Sequence, residues 1–253
     1  MRWLRTWAEL ARISNLPTVL SNALAGAVLG SMCLPLDASA ATARVCTPSL
    51  LWIFILVPCV IYSAGMILND ACDASIDARE RPQRPIPSGR AQRKIAFVVA
   101  FTLLAIAIGL ALFTDDADAS NATIALVCVV LLYNFLHARH WTTVLLLAIA
   151  RAHASLIPML AFAQDSSDNV FESAAIALPM ALGAWTLLLA MLARSEMTTT
   201  RTFAKRGGIG WMIACLILID MVAMVCVGAW MPAGLCALLL VITRAAQRSV
   251  AAS

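Results

Sequence analysis

The sequence predicts an all-α protein, built as a polytopic transmembrane bundle of about eight helices. Of its 253 residues, 62% are apolar and 13% are charged, which is too apolar for a soluble domain of this size. The apolar residues fall in runs about 20 residues long, the length an α-helix needs to cross a bilayer core. The charged residues between the runs alternate in sign. We expect one domain over residues 1–253, with both termini on the cytoplasmic side of the cell (inner) membrane.

The apolar runs define the predicted spans. A basic, amphipathic N-terminal segment precedes them, with Trp3 and Trp7 as interfacial anchors. The first run could also be a cleaved signal peptide, but it is longer than a usual signal core, and Gly26 and Gly30 give it a helix-packing face. The spans cover about 13–34, 50–68, 95–113, 122–136, 142–162, 174–193 and 209–227, followed by a short eighth helix ending near residue 243.

The distribution of Lys and Arg predicts the orientation. These residues cluster at the N-terminus, in 79–94, at 139, in 194–206 and at 244–248, whereas the other loops are mostly acidic. The positive-inside rule then places both long charged loops, after the second and sixth helices, on the cytoplasmic side. An even number of spans is required by this alternation.

An acidic segment with a basic continuation follows the second span, over residues 69–90. Asp70, Asp73 and Asp77 are spaced i, i+3, i+7, so on one helix they lie within an arc of about 60°. No Lys or Arg stands four residues after Asp70 or Asp73 to offset the charge. The segment therefore predicts a bound cation, while the prolines at 82, 85 and 87 predict that the basic part turns away as a loop.

The chemistry of these side chains favours Mg²⁺. Carboxylates with the Asn69 amide and no His or Cys are the oxygen ligands that Mg²⁺ prefers beside substrate phosphates. A proton relay and a plain solvated loop are the alternatives. The sequence has no zinc spacing, no calcium-loop pattern and no nucleic-acid motif, so we expect no nucleic-acid partner.

The pattern N-D-x-x-D-x-x-x-D followed by R-P-x-R-P-I-P-S-G resembles the first aspartate-rich motif of the UbiA superfamily of intramembrane prenyltransferases. The match covers Asn69, Asp70, Asp73, Asp77, Arg81, Pro82 and the run from Arg84 to Gly89. The form of its second half is closest to branches that make prenylated ether lipids and chlorophylls and to the EboC-like proteins.

The resemblance implies a helical bundle with a central cavity, and Mg²⁺-dependent transfer of an isoprenyl group from an allylic prenyl diphosphate to a lipophilic or aromatic acceptor. Asp70, Asp73 and Asp77 would be the catalytic, metal-holding residues, with Asn69 as a neutral ligand. Substrate-binding candidates are Asn69, Arg84, Arg139, Arg194, Tyr133 and Arg151.

Two departures from the family pattern stand out. The loop after the sixth helix, where the family has further aspartates, offers Glu196 as its only acid, so a second metal would be weakly held or replaced by Arg194, Arg201, Lys205 and Arg206. The family usually has nine helices, whereas this chain has eight with a short last one. That shortfall leaves open a homo-oligomer that closes the cavity.

Two charges fall deep within predicted spans. Arg151 and Asp220 each lie about ten residues, or about 15 Å, from the cytoplasmic end of a helix. Charges at that depth are costly and usually paired, so we predict an ion pair between Arg151 and Asp220.

The sequence supports two alternative functions less well. One is a bundle of the same fold without catalysis, acting as a lipid-binding, isoprenoid-binding or transport protein; no inverted repeat supports transport. The other is a phospholipid head-group transferase, whose D-G-x-x-A-R signature is absent.

Overall fold

The structure, a computed structural model, describes residues 2–32, 48–114, 116–136, 143–163, 169–198 and 208–251. The described residues form ten α-helices and no strands. They are α1 (Arg2–Leu10), α2 (Leu16–Met32), α3 (Pro48–Cys72), α4 (Ala74–Glu80), α5 (Arg93–Leu112), α6 (Ala117–Leu136), α7 (Val144–Phe162), α8 (Asn169–Thr198), α9 (Gly208–Cys226) and α10 (Trp230–Ala251), with a 3₁₀ turn at Ile13–Asn15.

Eight of the described helices are long and apolar enough to cross a membrane, which confirms the predicted number of spans. These eight are α2, α3 and α5 to α10, whereas α1 and α4 are short and carry charges. The chain is therefore a multi-pass integral membrane protein.

Several predicted helix boundaries are wrong, among them the ends of the second and the last spans. The second span continues to Cys72, so Asn69 and Asp70 lie in its last turn rather than beyond it. The last helix is not short: it continues well past residue 243, because Arg244 stacks on the Trp211 ring at 3.9 Å and Gln247 donates to Asn15 at 3.3 Å. These contacts give the polar end of the helix partners within the bundle.

α2 lies at the centre of the bundle and contacts α3, α7, α9 and α10. Its approach to α7 depends on two glycines. A Cβ atom on Gly26 would lie 2.0 Å from the Ser155 carbonyl oxygen, and one on Gly30 would lie 2.5 Å from that of Met159. The prediction that these glycines form a packing face is confirmed, because small residues let helix backbones approach closely.

Both ends of the described chain lie at the end of the bundle that carries the aspartates. Glu9 contacts Arg90 in the loop after α4, and Gln247 of α10 contacts Asn15. This agrees with an even number of spans. Which side of the membrane this end faces stays a prediction.

Candidate active site

The acidic segment is a helix with a bend rather than one regular helix. α3 ends at Cys72 and α4 begins at Ala74, with Asp73 between them at φ −81° and ψ 0°. Helical hydrogen bonds still run from the Asp73 N–H to the Asn69 carbonyl and from the Asp77 N–H to the Asp73 carbonyl, both at 2.9 Å. Asp70 and Asp77 are buried and Asp73 is half-buried. The face predicted from the spacing is therefore kept, with a change of direction at its middle aspartate.

Two arginines contact Asp70 and Asp77 on this face, so the prediction that its charges are uncompensated is wrong for these two residues. Nη1 of Arg84 donates to Oδ2 of Asp77 at 2.6 Å and to Oδ1 of Asp70 at 3.3 Å. Nη2 of Arg12 reaches the same Asp70 oxygen at 3.5 Å. Counting charges at i+4 missed both partners, because neither belongs to the helix that carries the acids.

The proline-containing loop turns back, as predicted, and this brings Arg84 onto the acids. Its turns are closed by bonds from the Arg84 N–H to the Arg81 carbonyl and from the Ser88 N–H to the Arg84 carbonyl, each at 3.0 Å. Arg90 fixes the far side of the loop, donating to the Gln83 carbonyl at 2.7 Å and to Glu9. The hydrogen bond to Glu9 raises the pKa of the Arg90 guanidinium.

Arg12 comes from a part of the chain that sequence reasoning did not assign to the site. It has a left-handed backbone, with φ 47° and ψ 49°, in the turn between α1 and the 3₁₀ turn. That conformation is uncommon for a residue other than glycine and costs about 1 kcal/mol or more. The turn directs the Arg12 side chain toward Asp70.

The carboxylates fit a hard cation. Among the described residues, no three acidic, His or Cys side chains are close enough to form a metal-binding group. However, oxygens of Asp70 and Asp77 converge on a single cationic nitrogen of Arg84. Two carboxylates directed at one positive centre are the donor set that Mg²⁺ accepts.

A cavity of about 390 Å³ opens beside the acids, between α2, α3, α6, α7, α8 and α9. Its walls are largely aliphatic, and from Pro58 to Met66 it follows about 12 Å of α3. Tyr133, Arg151 and Arg194, three of the predicted substrate-binding residues, line it. Arg12 lines it too and so connects the cavity with Asp70. In the described part of the chain, the charged side chains that line the cavity are all arginines.

Two predicted site residues lie outside this description. Arg139 is not among the described residues, and for Glu196 the backbone belongs to α8 but the side chain is not described. Arg194, in the same helix, donates from Nη2 to the Thr143 hydroxyl at 3.3 Å.

The predicted ion pair between Arg151 and Asp220 is not a direct contact. The Asn22 side chain lies between them: its Oδ1 accepts from Arg151 Nη1 at 2.9 Å, and its Nδ2 donates to Asp220 Oδ2 at 2.8 Å. Ser21 also donates to Asp220 Oδ2, at 2.6 Å. The two residues do belong to one network, but an amide on α2 separates their charges.

The chain is similar to known proteins of one family. The sequence profile of the UbiA prenyltransferase family matches residues 23–251. The chain is 34% identical over 110 residues to the digeranylgeranylglyceryl phosphate synthase of Methanopyrus kandleri, covering 43% of this chain and 35% of that protein. It is 36% identical over 121 residues to the 4-hydroxybenzoate octaprenyltransferase of Idiomarina loihiensis, covering 47% and 41%. Each of these matches spans less than half of the relative's length.

Two solved structures share the fold. One, from work on digeranylgeranylglyceryl phosphate synthase in membranes, has a TM-score of 0.56 at 15% identity and covers 98% of this chain and 88% of its own. The other, a UbiA homolog from Archaeoglobus fulgidus, has a TM-score of 0.55 at 12% identity, covering 95% and 98%. At these identities the likeness concerns the fold alone.

Proposed function

This chain belongs to the UbiA prenyltransferase family, and we propose that it transfers an isoprenyl group from an allylic prenyl diphosphate to a lipophilic or aromatic acceptor in the membrane, with Mg²⁺ as cofactor. The observation that carries the proposal is the junction at Asp70. There Asp70, one of two carboxylates suited to Mg²⁺, contacts Arg12, which also lines the apolar cavity. The charged groups would suit the diphosphate of a prenyl diphosphate, and the neighbouring apolar cavity would suit its hydrocarbon tail.

Asp70 and Asp77 would hold the metal, assisted by Asp73 and Asn69 from the same segment. Mg²⁺, when bound, supplies positive charge next to the oxygens of the leaving diphosphate. For Asp70 and Asp77 to hold the ion, the Arg84 guanidinium would have to move from them, and the Arg84 side chain is 22% exposed and so has room to do this. Glu196 remains a candidate for the weaker ligand of a second ion.

The arginines would bind the diphosphate. Guanidinium groups donate paired hydrogen bonds to phosphate oxygens, and Arg84, once released from the carboxylates, would lie beside the leaving group. Arg194 at the cavity wall and Arg139 would contribute further donors. The bond between the isoprenyl C1 and the diphosphate oxygen breaks with its electron pair leaving on the diphosphate.

The cavity would protect the allylic cation that remains. Aliphatic walls exclude water that would otherwise trap the cation as an alcohol, and the Tyr133 ring would face its positive charge. The acceptor's nucleophilic atom forms the new bond to C1 and loses its proton to solvent or to the departing diphosphate. No protein nucleophile is needed.

The test uses the purified protein in detergent with radiolabelled prenyl diphosphates of several chain lengths. Acceptors are 4-hydroxybenzoate and an ether-linked glyceryl phosphate. We expect Mg²⁺-dependent formation of a prenylated product with stoichiometric release of diphosphate, abolished by EDTA and restored by Mg²⁺. If neither product formation nor Mg²⁺-dependent binding of any prenyl diphosphate occurs, the chain is a non-catalytic member of the fold.

A further inference from the structure

The Arg151 guanidinium forms part of the cavity wall and is only partly engaged by the protein. It is half-buried, and its Nη1 donates to Asn22 Oδ1 at 2.9 Å and to the Thr18 hydroxyl at 3.4 Å. Within the described residues, Nε and Nη2 form no hydrogen bond. Among the described residues, two donor nitrogens of this cavity-lining side chain therefore have no partner.

The positive charge of Arg151 has no acid in contact with it in the described structure. Asp220 is fully buried and is reached only through the Asn22 amide. The other charged residues that line the cavity in the described ranges, Arg12 and Arg194, are also positive. A partly desolvated guanidinium facing an apolar cavity is stabilised strongly by an anion that binds its free donors.

Arg151 is well separated from the end of the cavity where the diphosphate is proposed to bind. Arg194 contacts Thr143, the residue just before α7. Arg151 comes eight residues later, which places it about 12 Å further along the helix axis. A diphosphate bound at the Arg194 end is shorter than this spacing along α7. The arrangement suits a second anion on a different molecule.

We infer that Arg151 binds an anionic oxygen group, a carboxylate or a phosphate, on the acceptor substrate, and that Asn22 and Asp220 are positioning residues that orient its guanidinium. The identification of the ligand as the acceptor substrate rests on the proposed prenyl transfer, whereas the anion site itself does not. The site selects acceptors whose charged group lies within the membrane-embedded cavity.

Binding is measured by calorimetry on the full chain in detergent, without Mg²⁺ or prenyl diphosphate. The probes form two matched pairs: 4-hydroxybenzoate with its methyl ester, and a short-chain dialkylglyceryl phosphate with the corresponding dialkylglycerol. We expect the charged member of at least one pair to bind at least tenfold more tightly. The pair that shows the preference identifies carboxylate or phosphate as the ligand. No preference in either pair would overturn the inference.

Two variants then test the residues. Arg151→Gln is expected to lower the affinity for the charged probe at least tenfold and for its neutral partner less than twofold, while Arg151→Lys keeps most of the preference. Asp220→Asn keeps acceptors for the Ser21 and Asn22 hydrogen bonds but removes a negative charge, so it is expected to tighten anion binding about threefold. A merely structural network would weaken binding in every variant, and that result would refute an anion site.

Because these measurements need no turnover, failure of the prenyl-transfer assay leaves them valid. If transfer does occur, Arg151→Gln should raise KM for the charged acceptor at least tenfold and leave KM for the prenyl diphosphate unchanged. Equal increases in both KM values would mean that Arg151 does not discriminate between the two substrates, contrary to the inference.

Discussion

The two charged regions of the molecule differ in whether their arginines contact the acidic side chains directly. At the end of the bundle, Arg84 and Arg12 contact Asp70 directly, and their side chains are 22% and 37% exposed. Deep in the bundle, Asn22 separates Arg151 from Asp220, which has no exposure at all. The first region places its cations where solvent and ligands can reach them, and the second encloses its acid within packed helices.

This difference has a chemical consequence. A partly exposed guanidinium that leaves a carboxylate can be solvated by water, and the exchange costs little when a metal ion replaces it at the buried acid. A fully buried carboxylate that loses its hydrogen-bond donors has no such replacement. The outer region is therefore suited to exchanging an arginine for a metal ion or a phosphate, whereas the inner region is suited to holding one side chain in place.

The largest expected effect is on the outer region. Asp70→Asn or Asp77→Asn should reduce prenyl transfer at least about 100-fold, because the site loses a carboxylate that would hold the Mg²⁺ next to the departing diphosphate. The unfolding temperature should change little, since the released arginine can be solvated. Steady-state assays and thermal unfolding in the same detergent measure the two effects.

The matched control for these aspartates is Glu80→Gln, an exposed acid in α4. It removes the same charge from the same segment and should leave activity within twofold of the parent. Normal activity in both aspartate variants would show that these carboxylates do not hold the metal.

The next largest effect is on the packing that supports the inner region. Gly26→Ala would place a methyl carbon 2.0 Å from the Ser155 carbonyl oxygen, so α2 and α7 must separate. These helices carry Asn22 and Arg151, and we expect a loss of more than about 4 kcal/mol in stability. Thermal unfolding of the purified variant measures it.

Gly109→Ala is the control, because a Cβ atom there has nothing within 4 Å and the residue also lies in a spanning helix. It should be neutral or stabilising by up to about 1 kcal/mol. Equal stability of the two variants would mean that α2 and α7 are not held in close contact at Gly26.

A third variant disconnects the two inner charges. Asn22→Leu leaves Arg151 and Asp220 without the amide that bonds to both, and should destabilise the protein by about 3 kcal/mol. Ser31→Ala, on the same helix, removes a hydroxyl whose hydrogen bond within the described residues is to the Val28 carbonyl, and should cost much less. If the two changes cost the same, the buried charges do not depend on Asn22.

The sequence predicted the parts of this arrangement that depend on local pattern. Apolar run length gives the eight spans, the spacing of Gly26 and Gly30 gives a packing face, and the motif at Asn69 to Gly89 gives the acidic segment and its loop. These features are properties of neighbouring residues, so a single sequence contains them.

The partners of the charges could not be predicted in the same way. Arg12 reaches Asp70 because its backbone adopts a left-handed turn, and nothing in its neighbours demands that. Asn22 was visible as a polar residue in an apolar run, but its two partners lie 129 and 198 residues away. Depth along two helices suggested that Arg151 and Asp220 were neighbours, and depth alone cannot reveal a third side chain between them.

The smallest expected effect concerns the ion pair between Glu9 and Arg90, which joins α1 to the loop that carries Arg84. Both side chains are about 40% exposed, so Glu9→Gln should cost less than about 1 kcal/mol, and the difference should vanish in 1 M salt. Prenyl transfer should stay within twofold of the parent, because the loop's own turns and the contacts of Arg84 with Asp70 and Asp77 hold Arg84 without Glu9. If Glu9→Gln lost much of its activity and no change in salt concentration restored it, α1 would position Arg84 through this ion pair. The outer region would then be as rigidly built as the inner one, and the distinction between exchangeable and fixed cations would fail.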